Sequence, residues 1–317
     1  KKPTSMLEPT GRFNLRGNIA LAGSGVPGQP LAADWNLTID CHNNSLQCGV
    51  PLHGIHGSLS LVGSSQAGRF ESSGELQLDS VFYGDYQLTE VLGPLWIDNE
   101  QVLLGFWADR RRGQTPERRL TGKLYGGTTV SDGWIVLGDE PEYAILATLS
   151  KGDLARFAQE RVPGNTRLTG EMYATVDLRG KGRTRNNIQG RGSVQLRNAD
   201  IYQLPAMVSF LKVLSLRTPD TKGFTESDIQ FSLQGEHVYL ERIDFDGDAV
   251  SLQGRGELNL VNDQVNLVFR AVVGSDAAKL PAMKQILGGA SQQILLMHVD
   301  GTLKNPQVRR EAFPGVN

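Results

Sequence analysis

One short phrase, x-Gly-x-apolar-x-apolar, recurs along the chain and limits its fold more than any other feature. It appears as Arg16-Gly17-Asn18-Ile19-Ala20-Leu21, His56-Gly57-Ser58-Leu59-Ser60-Leu61, Ser73-Gly74-Glu75-Leu76-Gln77-Leu78, Arg191-Gly192-Ser193-Val194-Gln195-Leu196 and Arg255-Gly256-Glu257-Leu258-Asn259-Leu260. Looser copies place Gly122 before Leu124, Gly170 before Met172 and Gly301 before Leu303. A two-residue period puts apolar side chains on one face of a strand and polar ones on the other, so each copy reads as a half-buried strand. Glycine, at 37 residues, falls in register with this pattern. Inside a strand it packs nothing, so its recurrence predicts bulges or sharp bends that curl a sheet.

The pattern is clearest between 229 and 271. There Ile229, Phe231 and Leu233 are followed by Val238, Leu240, Ile243 and Phe245, then Val250, Leu252, Leu258 and Leu260, then Val265, Leu267 and Phe269. Turn residues such as Gln234-Gly235-Glu236 and Val261-Asn262-Asp263 separate the runs, which predicts antiparallel hairpins or a meander. Helical signal is confined to three places: near 151–161, with Leu154 and Phe157 on one face; 204–216, opening on Leu204-Pro205; and 277–287, opening on Leu280-Pro281. The expected fold is therefore mainly β, a curved antiparallel repeating sheet forming a β-groove, with a few short amphipathic helices.

An apolar share of 39% suffices for a sizeable core. Lysine and arginine number 32 against 34 acidic residues, so the net charge of -2 gives no electrostatic case for nucleic acid. The densest basic run, Arg110 to Arg112 with Arg118 and Arg119, flanks Gly113 and Pro116 and reads as a solvated loop rather than a headgroup or phosphate contact. No stretch approaches the roughly 20 apolar residues that span a bilayer. The chain opens Lys1-Lys2-Pro3 and reads as a segment of a longer polypeptide whose anchor lies outside it.

Chemistry-bearing residues are few. Cys41, His42, Cys48, His53 and His56 are close in sequence, but their spacing does not match a structural zinc site, and no metal is expected. A disulfide between Cys41 and Cys48, closing a hairpin tip through Asn43-Asn44-Ser45, fits the pair better, with free thiols the alternative. Gly23-Ser24-Gly25-Val26-Pro27-Gly28 has the spacing of a dinucleotide fingerprint, but Pro27 and Pro30 bracket a plain loop where a helix is needed. Asp244, Asp246 and Asp248 read as a solvated turn in preference to a calcium site. No serine lies in a nucleophile elbow, and His237 and His298 sit in strand patterns. Neither a catalytic site nor a cofactor is expected.

The last 130 or so residues resemble the C-terminal region of AsmA-like proteins, large bacterial envelope proteins related to TamB. The resemblance runs in order through Gly190-Arg191-Gly192-Ser193-Val194-Gln195-Leu196, Ile201 before Leu204-Pro205, and Phe224 leading into Asp228-Ile229-Gln230-Phe231. It continues through Phe245-Asp246-Gly247, Leu252-Gln253-Gly254-Arg255-Gly256-Glu257-Leu258, Gly288-Gly289 and Val299-Asp300-Gly301-Thr302-Leu303-Lys304-Asn305-Pro306-Gln307-Val308. Residues 1–150 read as a β-repeat segment in the same style, and 151–317 as the AsmA-like region. The resemblance implies a periplasmic protein, membrane-anchored in its full-length form, that supports phospholipid supply to the outer membrane through a hydrophobic inner face.

On that reading the lining consists of Phe231, Leu233, Val238, Leu240, Leu252, Leu258, Leu260, Leu267 and Phe269, and acyl chains bind by apolar burial at roughly 0.8 kcal/mol per methylene. The same residues equally suit a closed sandwich core. The alternative function is a scaffold or assembly factor of the envelope acting through protein partners. A β-helical polysaccharide lyase is the least favoured, since no ladder of charged residues aligns across the repeats.

Overall fold

The computed structural model describes residues 9–23, 31–47, 51–161, 168–182, 184–200, 226–246, 250–273, 294–303 and 305–311. They contain seventeen strands, two α-helices and a short 3-10 turn at Arg185–Asn187. The protein is mainly β, and the strand pairs are antiparallel. The chain divides into two compact units, one of Lys1–Leu149 with Val176–Ile188, the other of Ser150–Thr175 with Gln189–Asn317.

In the first unit, β1 (Thr10–Ala22), β2 (Ala32–Gln47), β3 (Pro51–Gln66), β4 (Arg69–Tyr83) and β5 (Tyr86–Asp98) pair in chain order as a meander. The turn between β3 and β4 is Ala67-Gly68, both at positive φ, the two-residue geometry whose twist matches that of the flanking strands. The register stacks the repeat. Leu15, Ile39, Leu59 and Leu76 form one cross-strand row, and Gly17, Leu37, Leu61, Gly74 and Leu95 form the next. Partners directly opposite one another share a face, so the alternation of each strand adds up to one apolar surface. Asn14, Arg16, Thr38, Asp40, Ser58, Ser60, Glu75 and Gln77 lie on the other.

β6 (Gln101–Leu104), α1 (Phe106–Arg112), β7 (Leu120–Leu124), β8 (Gly127–Val136) and β9 (Glu142–Asp153) follow. β6 and β7 each pair with both β5 and β8, so the segment holding α1 is looped out between them. α1 packs against β5, β6 and β8. Its ion pairs to Glu75 place it on the side away from Leu76, and there Pro94, Leu103 and Ala108 are buried. Gly113 in the left-handed conformation ends the helix, donating its N–H to the Arg110 carbonyl.

The basic run read as a solvated loop is thus a helix followed by a tied-down segment. Asp109 is fully buried and accepts hydrogen bonds from the Arg118 backbone N–H at 3.1 Å and from Arg118 Nε at 2.9 Å. Arg118 also reaches Glu75 at 2.7 Å, and Arg119 donates to Asp132 at 2.6 Å. Burial pushes the Asp109 carboxyl up, but the hydrogen bonds and charges of Arg118 and Arg112 outweigh it and hold the group below the usual carboxylate range. Local composition hid this because two of the neutralising acids, Glu75 and Asp132, come from β4 and β8, distant in sequence.

In the second unit, α2 (Leu154–Arg161) begins where Asp153 accepts the Ala155 N–H at 2.8 Å, within the 151–161 span expected from the sequence. β10 (Thr169–Lys181) runs from this unit into the first at Val176. Then β11 (Gln189–Asp200), β12 (Glu226–Gln234), β13 (His237–Asp246), β14 (Val250–Asn259), β15 (Gln264–Val273), β16 (Ile294–Thr302) and β17 (Asn305–Glu311) pair successively from β11 onward. The helices expected at 204–216 and 277–287 lie outside the described residues. Asp244 and Asp246, expected in a turn, belong to β13; Asp244 is buried and paired with Arg242.

The repeat glycines do two things. Gly57 and Gly256 sit at positive φ, and a Cβ at either would lie 2.3 Å or 2.1 Å from a carbonyl oxygen of the next strand. Gly192 and Gly254 instead make room for aromatic rings, since a Cβ there would lie 2.5 Å from Phe231 and 2.4 Å from Phe269. Bulges do occur, between Gln230 and Phe231, between Leu240 and Ile243, and around His53 to Gly57. The second lies opposite Gly256 and Gly254, and the last includes Gly57.

A candidate apolar binding face

Register decides which of the predicted lining residues meet. In the second unit Phe231, Leu240, Gly256, Leu267 and Val299 form one cross-strand row, and Leu233, Val238, Leu258 and Val265 form the next. On the other side of the first row lie Ile243, Gly254, Phe269 and Met297, then Phe245, Leu252 and Ala271. The bulge between Leu240 and Ile243 shifts the register of β13 without sending Ile243 to the wrong face, which keeps the rows apolar. Leu260 lies past the end of β14 in the turn, 45% exposed, where its N–H donates to the Glu236 carbonyl at 2.8 Å.

The face is graded. Phe231, Leu233, Val238, Leu240, Leu258 and Leu267 are half-buried, whereas Leu252 and Phe269 are buried together with Ile243, Phe245, Met297 and Val299. The Phe245 and Phe269 rings stack at 6.2 Å. Met297 and Val299 share the rows but were not among the predicted lining residues, because they come from β16, beyond the stretch where the alternation was read.

The first unit carries a matching face that the predicted site omitted altogether. Trp35, Leu37, Ile39, Leu59, Leu61 and Leu76 are half-buried at mid-strand, and the β1 residues Phe13, Leu15, Ile19 and Leu21 are 53–68% exposed. The signal was present, since Ile19, Leu21, Leu59, Leu61 and Leu76 belong to copies of the repeat phrase. A face closed by a second sheet buries its central side chains almost completely. Here they keep part of their surface open.

Polar chemistry is sparse on these faces. Cys41 lies on the apolar side of β2, opposite Phe13 and Gly57, and its thiol is free and half-buried. Burial pushes that thiol up, with the Asp40 charge adding to the effect, away from the reactive thiolate. The hairpin tip expected at Asn43-Asn44-Ser45 is absent, because β2 continues to Gln47 and accommodates Asn43 at positive φ as an irregularity. Cys48, the other half of the expected disulfide, lies outside the described residues. His42 faces Asn14 on the opposite side from Cys41, and His53 stacks on Phe82 at 5.4 Å. Among the described residues no group of histidine, cysteine and carboxylate side chains is arranged to hold a metal ion.

A cavity of about 440 Å³ opens on the polar side of the second unit, lined by Arg242, Asp244, Gln253, Arg255 and Arg270 around Val268 and Leu296. It lies across the sheet from the predicted lining. Comparison with known families, curated proteins and solved structures finds no match to this chain. Among the described residues no helix is long and apolar enough to cross a membrane.

Proposed function

We propose that this protein is a non-catalytic component of the bacterial envelope that binds or conducts phospholipid along its apolar strand faces, anchored to a membrane by a segment outside this chain and working in the periplasm. One observation carries the reading. Mid-strand residues such as Leu37, Leu59, Leu61, Leu240, Leu258 and Leu267 line up in cross-strand rows yet stay half-buried. Rows of this kind offer acyl chains continuous apolar contact with no polar group to desolvate, and affinity then grows with chain length at roughly 0.8 kcal/mol per methylene. The ordered resemblance to the AsmA-like region supports the same conclusion.

Native mass spectrometry with lipid extraction, on protein purified from a bacterial membrane fraction in mild detergent, tests the proposal. Copurifying phospholipid is expected, and it should be lost from a folded variant carrying Leu240→Asp with Leu258→Asp. A folded protein that is lipid-free and takes up no added phospholipid would instead favour a scaffold. The exposed row of Phe13, Leu15, Ile19 and Leu21 is where a protein partner would then be sought.

A further inference from the structure

The arginines of α1 and of the segment that follows it fall into two groups. Arg112, Arg118 and Arg119 are neutralised by Asp109, Glu75 and Asp132. Arg110 and Arg111 are exposed and lie over aromatic rings instead, Arg110 at 5.7 Å from Phe106 and Arg111 at 5.5 Å from Trp96. Trp107, edge-on to Phe106 at 5.3 Å, is 41% exposed between them.

We infer that this corner of the first unit, Trp107 with Arg110 and Arg111, docks on the surface of an anionic phospholipid bilayer. Three properties favour that occupant. The two guanidiniums stay available to headgroup phosphates because rings rather than carboxylates hold them, and a guanidinium over a ring still presents its N–H edge. Tryptophan beside arginine suits the headgroup layer, where an amphipathic ring sits at the boundary between water and acyl chains. The support is rigid, since Asp109 pins the Arg118 segment beneath the helix and Asp132 accepts the Phe106 N–H at 2.8 Å. A structural role in complementing the helix dipole accounts for basic residues in the last turn, but not for an exposed tryptophan beside them.

The inference goes beyond the proposed conduction of lipid, and neither depends on the other, because this patch lies on the side of the sheet away from the apolar rows. Co-sedimentation with vesicles of phosphatidylglycerol mixed with phosphatidylcholine, against vesicles of phosphatidylcholine alone, tests it. Binding is expected only to the anionic vesicles, weakening as salt is raised. Arg110→Gln with Arg111→Gln should lower the partition coefficient roughly thirtyfold, whereas Arg12→Gln with Arg69→Gln, equal in charge and also exposed, should leave it within about twofold. Tryptophan emission should shift to the blue on vesicle binding, and Trp107→Phe should remove most of that shift. The inference is overturned by equal binding to both vesicle types, by an equal loss in the two charge variants, or by capture of an acidic protein through Arg110 and Arg111 without any vesicle binding. If lipid copurification fails while anionic vesicles still bind, the conduction proposal falls and the docking surface stands.

Discussion

The two units use the same alternation and expose its result differently. In the second, the row through Ile243, Gly254, Phe269 and Met297 is sealed, and Met297 and Leu252 have no exposed surface. In the first, the equivalent rows through Leu37 and Leu61 and through Ile39 and Leu59 remain half-buried, and those on β1 are mostly exposed. Alternation assigns a side chain to a face, but it does not say how deeply that face is covered. The same apolar residue therefore acts as core in the sealed rows of the second unit and as available surface in the half-buried rows of either, such as those of Leu240 and of Leu37.

The largest expected effect breaks the sealed face. Phe269→Ala should cost about 3–5 kcal/mol in denaturant unfolding, because the ring stacks on Phe245 and covers Gly254; a loss below about 1 kcal/mol would mean that the row is not packed as described. Next comes Asp109→Ala on the covered side of the first unit, at about 1–3 kcal/mol, since it removes the buried acceptor of the Arg118 backbone N–H and Nε and with it the tie to the α1 segment, although Arg118 keeps Glu75. The wild-type carboxylate has the same consequence for pH. Its folded pKa is depressed, so its stabilising contribution is complete above the unfolded value near 4 and disappears as pH falls below it. Protection of the α1 amides against hydrogen exchange, with the intrinsic rate at each pH divided out, should fall in that acid range, and Asp109→Ala should flatten the dependence.

Gly57→Val and Gly256→Val sharpen the comparison from the side of the repeat. Each forces a Cβ against the backbone of a neighbouring strand at positive φ, and each should cost about 1–3 kcal/mol. Similar losses in both units would show that the glycine serves the strand geometry whatever the burial above it. The smallest effect belongs to the open face. Phe13→Ser should change stability by no more than about 0.5 kcal/mol, while weakening whatever the exposed row binds, as read by uptake of a solvatochromic dye.

Much of the fold was legible in the sequence. The strands, their antiparallel hairpins and the helix near Leu154 follow from periodicity and turn chemistry, which are local properties of the chain. The faces of Phe231, Leu240 and Leu267 were legible for the same reason. Three features were not. The helix over β5 and β6 was hidden because Gly113 and Pro116 beside the basic run read as a loop, while the contacts that hold it come from Glu75 and Asp132 on distant strands, and Asp244 was read as a turn residue although β13 runs on to Asp246. The length of β2, which runs through the expected tip to Gln47, was masked by turn-forming asparagines that the strand absorbs.

By itself, then, the sequence determined the two-residue alternation, hence which side chains share a face, because that follows from strand geometry alone. Only the tertiary structure decided which rows align across strands, where a glycine yields its space to a phenylalanine, and which apolar residues stay open. Those outcomes depend on register and on what lies above each face, and both are set by partners distant along the chain.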